Sequence, residues 1–198
     1  MNPEDTTTFP NSHELAGYFL QDTKDNLDRL HYWYFNYDTL AHTRKSKRTK
    51  AANDLLIAFE CLVKGIVVFH KFSDLNGQIL YEKIKKFGHQ LTKLSNACNH
   101  VIPDEKYIEV NSLANELSVI PFGVRYWFDA NSFWDAKSET YSATIGSDTW
   151  MQKIYDEIHN LHQWQMQVMA RPIDEDIFQG EKLFQEMARP RHNPYEGS

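Results

Sequence analysis

Two cysteines, Cys61 and Cys98, are all that 198 residues offer, and no Cys-x-x-Cys pair exists. That argues against a thiolate zinc site or a dithiol redox centre. No apolar run reaches the 18 or more residues of a membrane-spanning helix. Positive charge is also in short supply. Lys and Arg number 21 against 27 Asp and Glu, and the net charge of −6 excludes a protein that coats nucleic acid over its whole surface. The opening MNPEDTTTFPNS is polar and acidic and lacks the pattern of a secretory leader, so a cytoplasmic protein is the expectation. Internal repeats and alternating strand patterns are missing as well.

What remains is a globular composition, 41% hydrophobic and 14% aromatic, at a length that buries a core without staples. The aromatics gather in HYWYFNY (31–37) and FGVRYWFDANSFW (122–134). Leu15, Phe19, Leu27, Leu30, Tyr34, Tyr37 and Leu40 recur with helical period, and Asn11 with Glu14 reads as a capping box, so a first helix is predicted over 12–42. A second is predicted over 49–72. Its polar residues Asn53, Glu60, Lys64 and Lys71 fall on one narrow stripe, which makes it either central in the fold or shared with a second subunit.

Further helices are predicted over 78–87, over 89–101 and from Asp104 to about 119, with Gly88 as a left-handed stop between the first two. Residues 120–146 read as irregular chain. A long helix then runs from 147 or 148 to about 169, ended by Pro172, with a short amphipathic helix over 174–188. The expectation is all-α: an antiparallel helical bundle over 11–170, a disordered tail over 1–10, and an extra C-terminal helix and tail over 171–198.

Three landmarks follow one another in order: LLIAFECLVKG (55–65), GHQLTKL (88–94) and LANELSVIPFGVRYWFDA (113–130). Over roughly residues 50–170 this resembles the HEPN family of helical domains, with its "A-E-x-x-L-K" helix, "G-H-D-L" helix start and late "R-Y". The resemblance implies a site made of Glu60, Lys64, His89, Arg125 and Tyr126. It also implies a homodimer, a nucleotide, RNA or protein partner, and a toxin–antitoxin or defence setting. Gln90 stands where the family has Asp. The family's ribonucleases place a His four to six residues after an Arg, so that imidazole moves the proton while guanidinium steadies the phosphate. After Arg125 no His occurs until His159. The reading is therefore a non-catalytic binding module with no catalytic residue and no cofactor. A metal-independent ribonuclease with a displaced His is one alternative, and a purely structural or interaction protein is the other.

Each candidate also has an ordinary reading. Glu60 and Lys64, four apart, fit a helix ion pair. His89 fits a half-buried residue beside a turn. The aromatics around Tyr126 fit a core. The basic run Arg44, Lys45, Lys47, Arg48 and Lys50 is a candidate phosphate or nucleic-acid patch, or a solvated helix junction. Asp28 with His31, and Asp156 with His159 and His162, repeat a His–carboxylate spacing suited to a metal in a bundle. But His159 falls on the polar face, His162 at its edge, and no Glu-x-x-His occurs, so no metal is expected.

Overall fold

The structure is a computed structural model that describes residues 9–36, 45–120 and 134–187, with 171–187 described as backbone only. The fold class is all-α. Its helices are α1 (Ser12–Leu30), α2 (Lys45–Lys71), α3 (Gly77–Lys85), α4 (Leu91–Ala97), α5 (Asp104–Leu117), α6 (Ser138–Ala143) and α7 (Asp148–Met187). A π-helical segment, His31–Asn36, follows α1. Among the described residues β pairing is confined to one bridge between Asn11 and Asn76. The chain divides into two compact units, Met1–Gln163 and Trp164–Ser198. In the second, the described residues through Met187 are helical.

The first helix starts as its sequence dictates. Glu14 N–H donates to Asn11 Oδ1 and Asn11 N–H donates to Glu14 Oε2, both at 2.9 Å. This satisfies two of the backbone donors that a helix start leaves over. Ala16, Leu20, Thr23, Leu27 and Leu30 form the buried stripe. They lie against α2 in antiparallel order: Ser12 Oγ donates to Ser73 O, Thr23 Oγ1 reaches Ala58 O, and Arg29 meets Asp54. Gly65 permits the close approach, because a Cβ there would stand 3.3 Å from the Leu20 side chain and 3.4 Å from Ala16 O.

The α2 helix is the centre of its unit. Leu55, Leu56, Phe59, Leu62, Val63, Ile66, Val67 and Val68 are all at most 1% exposed within a single chain. Most of its apolar circumference is covered within one chain, with Ile57 and Cys61 half-buried. The 45–50 segment is its first turns rather than a loop before it. Further along the chain, Trp134 is fully buried and its Nε1–H donates to Thr49 Oγ1 at 2.9 Å. Within the first unit α7 runs back along α1 and α5, with His162 at Leu20, Tyr155 at His31 and Lys153 at Glu116.

Several boundaries differ from the sequence reading. The first helix is α-helical only to Leu30, where the aromatic segment widens into a π-helix, and 37–42 lies outside the described residues. The α4 helix stops at Ala97 rather than 101, and His100 beyond it is left-handed (φ 62°). A short helix, α6, occupies part of the stretch read as irregular. The last helix does not end at Pro172. Proline removes one backbone hydrogen bond, but the Glu, Lys, Leu and Met that follow are good helix formers, and the helix continues to Met187.

Candidate functional site

Two groups of charged side chains stand out, and the sequence reading anticipated a part of each. The first is built around Glu60 on α2. Glu60 is 5% exposed. Lys64 Nζ, one turn on, donates to Oε1 at 2.6 Å. His89 Nδ1 lies 2.8 Å from Oε2 and 3.0 Å from Oε1. Lys64 also sits 6.0 Å above the Phe19 ring. The turn between α3 and α4 delivers His89: Gly88 is left-handed (φ 55°), and α4 begins only at Leu91, after Gln90. His89 is therefore in the turn and not in the helix. Its imidazole is half exposed and borders a groove of about 330 Å³ with Leu56, Gln90, Leu91, Thr92, Ser118 and Ile120. Burying a carboxylate is costly unless it is paired, and Glu60 has two partners. Arg125 and Tyr126 lie outside the described residues.

The second group lies where the end of α1, the π-helical segment and the start of α2 meet. Arg29, Trp33, Lys47, Lys50 and Asp54 line a pocket of about 510 Å³. Asp54 is 8% exposed. It accepts from Arg29 Nη2 at 2.6 Å and from Nε at 3.4 Å, while Nη2 also donates to Asn26 Oδ1 at 2.7 Å. Trp33 is half-buried, its ring edge-on to Tyr34 at 5.8 Å. Trp33 stands in the π-helix, a rare conformation that is frequent at functional sites.

The five cations proposed as one patch are thereby separated. Arg44 lies outside the described residues. Lys45 pairs with Asp135 at 3.0 Å and sits 5.5 Å from the Tyr141 ring. Arg48 is buried, donating to Ile145 O at 3.1 Å and pairing with Asp148 at 2.7 Å. Lys47 and Lys50 line the pocket. The sequence reading missed Arg29, Trp33 and Asp54 as its companions. The aromatic run pointed toward Trp33, but nothing local links Arg29 to Asp54, which are 25 residues apart.

The His–carboxylate residues do not converge. Among the described residues no group of three or more His, Cys, Asp or Glu is placed to hold a metal. His31, Tyr155 and His159 instead form a stack of rings with centroids 5.9 and 6.1 Å apart. His162, read as lying at the edge of the polar face, is buried, and its Nε2 lies 3.1 Å from Leu20 O. Burial pushes both thiols up to about 12, Cys61 as well as Cys98, so neither is a poised nucleophile. Among the described residues no helix is long and apolar enough to cross a membrane. Comparison with family models, curated proteins and solved structures finds no match.

Proposed function

We propose that the chain is a HEPN-like, non-catalytic binding module whose ligand carries phosphate, as a nucleotide or RNA does. The observation that carries this reading is the pocket in which Arg29, Lys47 and Lys50 stand beside the half-buried ring of Trp33. Clustered cations attract phosphate, and an adjacent aromatic face suits a base. The site is the more telling because the protein as a whole is acidic. Two free thiols fit the cytoplasm as its compartment.

The test is a titration of the full chain with pyrophosphate and with a short single-stranded RNA in EDTA. Both are expected to bind, more weakly as salt rises. Lys47→Ala with Lys50→Ala should lower the affinity about tenfold, and the RNA should stay intact. Binding indifferent to both lysines would sink the reading, and no binding at all would favour an interaction protein without a phosphate ligand. A second reading, a metal-independent ribonuclease, draws on His89 held against a buried carboxylate, an arrangement used in acid–base catalysis. RNA cleavage in EDTA that disappears in His89→Ala would replace the first reading with the second.

A homodimer belongs to the same proposal and rests chiefly on the family resemblance, since most of α2 is already buried within one chain. Light scattering at micromolar concentration should give the mass of two chains, and 23.3 kDa throughout would remove the dimer.

A further inference from the structure

The α3–α4 hairpin carries charge of the opposite sign to the chain as a whole. Between Leu75 and Pro103 stand four lysines and a single carboxylate, Glu82, in a protein of net charge −6. Lys83 and Lys85 lie on α3, Lys86 just past its end and Lys93 on α4, and all four are exposed.

Ring faces and a backbone carbonyl hold these lysines, not carboxylates. Lys83 Nζ lies 5.5 Å from the centroid of the Phe72 ring. Lys93 Nζ lies 5.8 Å from that of Phe87 and donates to Lys86 O at 3.0 Å. The two rings are half-buried with centroids 6.4 Å apart. Lys86, three residues after Lys83, shares its side of the helix. Lys83, Lys86 and Lys93 thus gather about one aromatic pair, while Lys85 lies over Tyr81 at 5.9 Å. Among the described residues none of the four makes an ion pair. Glu82 accepts from Gln78 Nε2 at 2.8 Å instead.

A salt-bridged lysine must give up its carboxylate before it meets another anion. A lysine laid on a ring keeps its full charge, because the ring quadrupole attracts the cation without neutralising it. Its side chain is also partly ordered in advance, which lowers the entropy lost on binding. The same contacts indicate the kind of anion. Lys83 and Lys93 cover faces of Phe72 and Phe87, so these rings do not serve as platforms for bases. The cations are distributed over two rings, which suits successive phosphates better than a single one. Contacts to phosphate position a strand and carry no sequence information.

We infer that the α3–α4 face binds the phosphate backbone of a single-stranded nucleic acid through Lys83, Lys86 and Lys93, without regard to base sequence. This face stands apart from the α1–α2 pocket and does not rest on it.

The experiment is fluorescence anisotropy of labelled twenty-residue uridine and adenosine RNA strands, titrated with the full chain over a series of salt concentrations. Both strands are expected to bind with similar affinity. The combined variant Lys83→Ala, Lys86→Ala and Lys93→Ala should bind at least about tenfold more weakly, and its slope of log affinity against log salt should be shallower by about 2. A control with Lys24→Ala, Lys106→Ala and Lys153→Ala removes the same charge from lysines that are paired with carboxylates. It should bind as the native chain does. Lys→Arg at the three hairpin positions keeps the charge and should restore binding, which separates lost charge from a disturbed fold. Equal losses in the hairpin and control variants would overturn the inference in favour of bulk charge. Native affinity in the hairpin variant, with loss only in Lys47→Ala with Lys50→Ala, would assign the strand to the α1–α2 pocket. A strong preference for one strand would overturn backbone recognition. Binding to phosphatidylserine vesicles with none to either RNA would replace the nucleic acid by a lipid surface.

Discussion

At Gly88 the backbone asks for what only one residue type gives freely. Its φ is 55°, and a Cβ built there would meet nothing within 4 Å. The cost of a side chain is therefore purely conformational, about 1 kcal/mol. Gly88→Ala should lower the unfolding free energy by about that amount with an unchanged denaturant slope. Gly88→Asn should lose less, because Asn enters the left-handed region more readily. A neutral Gly88→Ala in urea titrations would show that the turn relaxes to another conformation. The turn matters beyond itself, since it carries His89 to the buried carboxylate of Glu60. Glu60 on an otherwise apolar helix was legible as a charge needing partners. Lys64 was legible as one of them from the four-residue spacing. His89 could be placed near a turn but not on Glu60, because a contact between residues 29 apart leaves no local pattern.

At the scale of elements, legibility follows the strength of the periodic signal. The stripe of α1, its capping box, and the apolar circumference of α2 were all readable, because each is a repeated local pattern. The start of α5 was readable at Asp104, which is its first residue after Pro103. Ends were harder. Nothing in Leu30 and His31 announces the change from α to π winding, within which Tyr34 is buried. The α6 helix has no buried residue of its own. It lies beside Trp134, whose ring is 5.5 Å from that of Tyr141, so tertiary contact and not an apolar stripe accompanies it. The candidate pocket falls in the same class. Lys47 and Lys50 were marked by the basic run, but the pocket exists because Arg29 and Trp33 arrive from another element.

The whole molecule should record in its acid stability one histidine that the sequence placed at a polar edge. His162 is 4% exposed and held to Leu20 O between α7 and α1. Burial lowers its proton affinity, and this outweighs the backbone bond to Leu20 and the carboxylate of Asp28, which favour the charged form. His159 and Lys24 add to the lowering, although Lys24 is itself paired with Asp28. The folded chain thus holds His162 neutral where the unfolded chain takes up a proton. Stability from this group is complete above the unfolded value of about 6.5. It declines as the pH falls below that value, since the unfolded state then binds more protons, and the loss levels off below the depressed folded value. Melting temperature should therefore drop between pH 7.5 and 5.5. His162→Gln keeps an N–H for Leu20 O but cannot titrate. It should melt lower at pH 7.5, where the native ring packs best, and lose less on acidification. Parallel pH slopes for the two proteins would assign the acid sensitivity to other groups and leave His162 as packing alone.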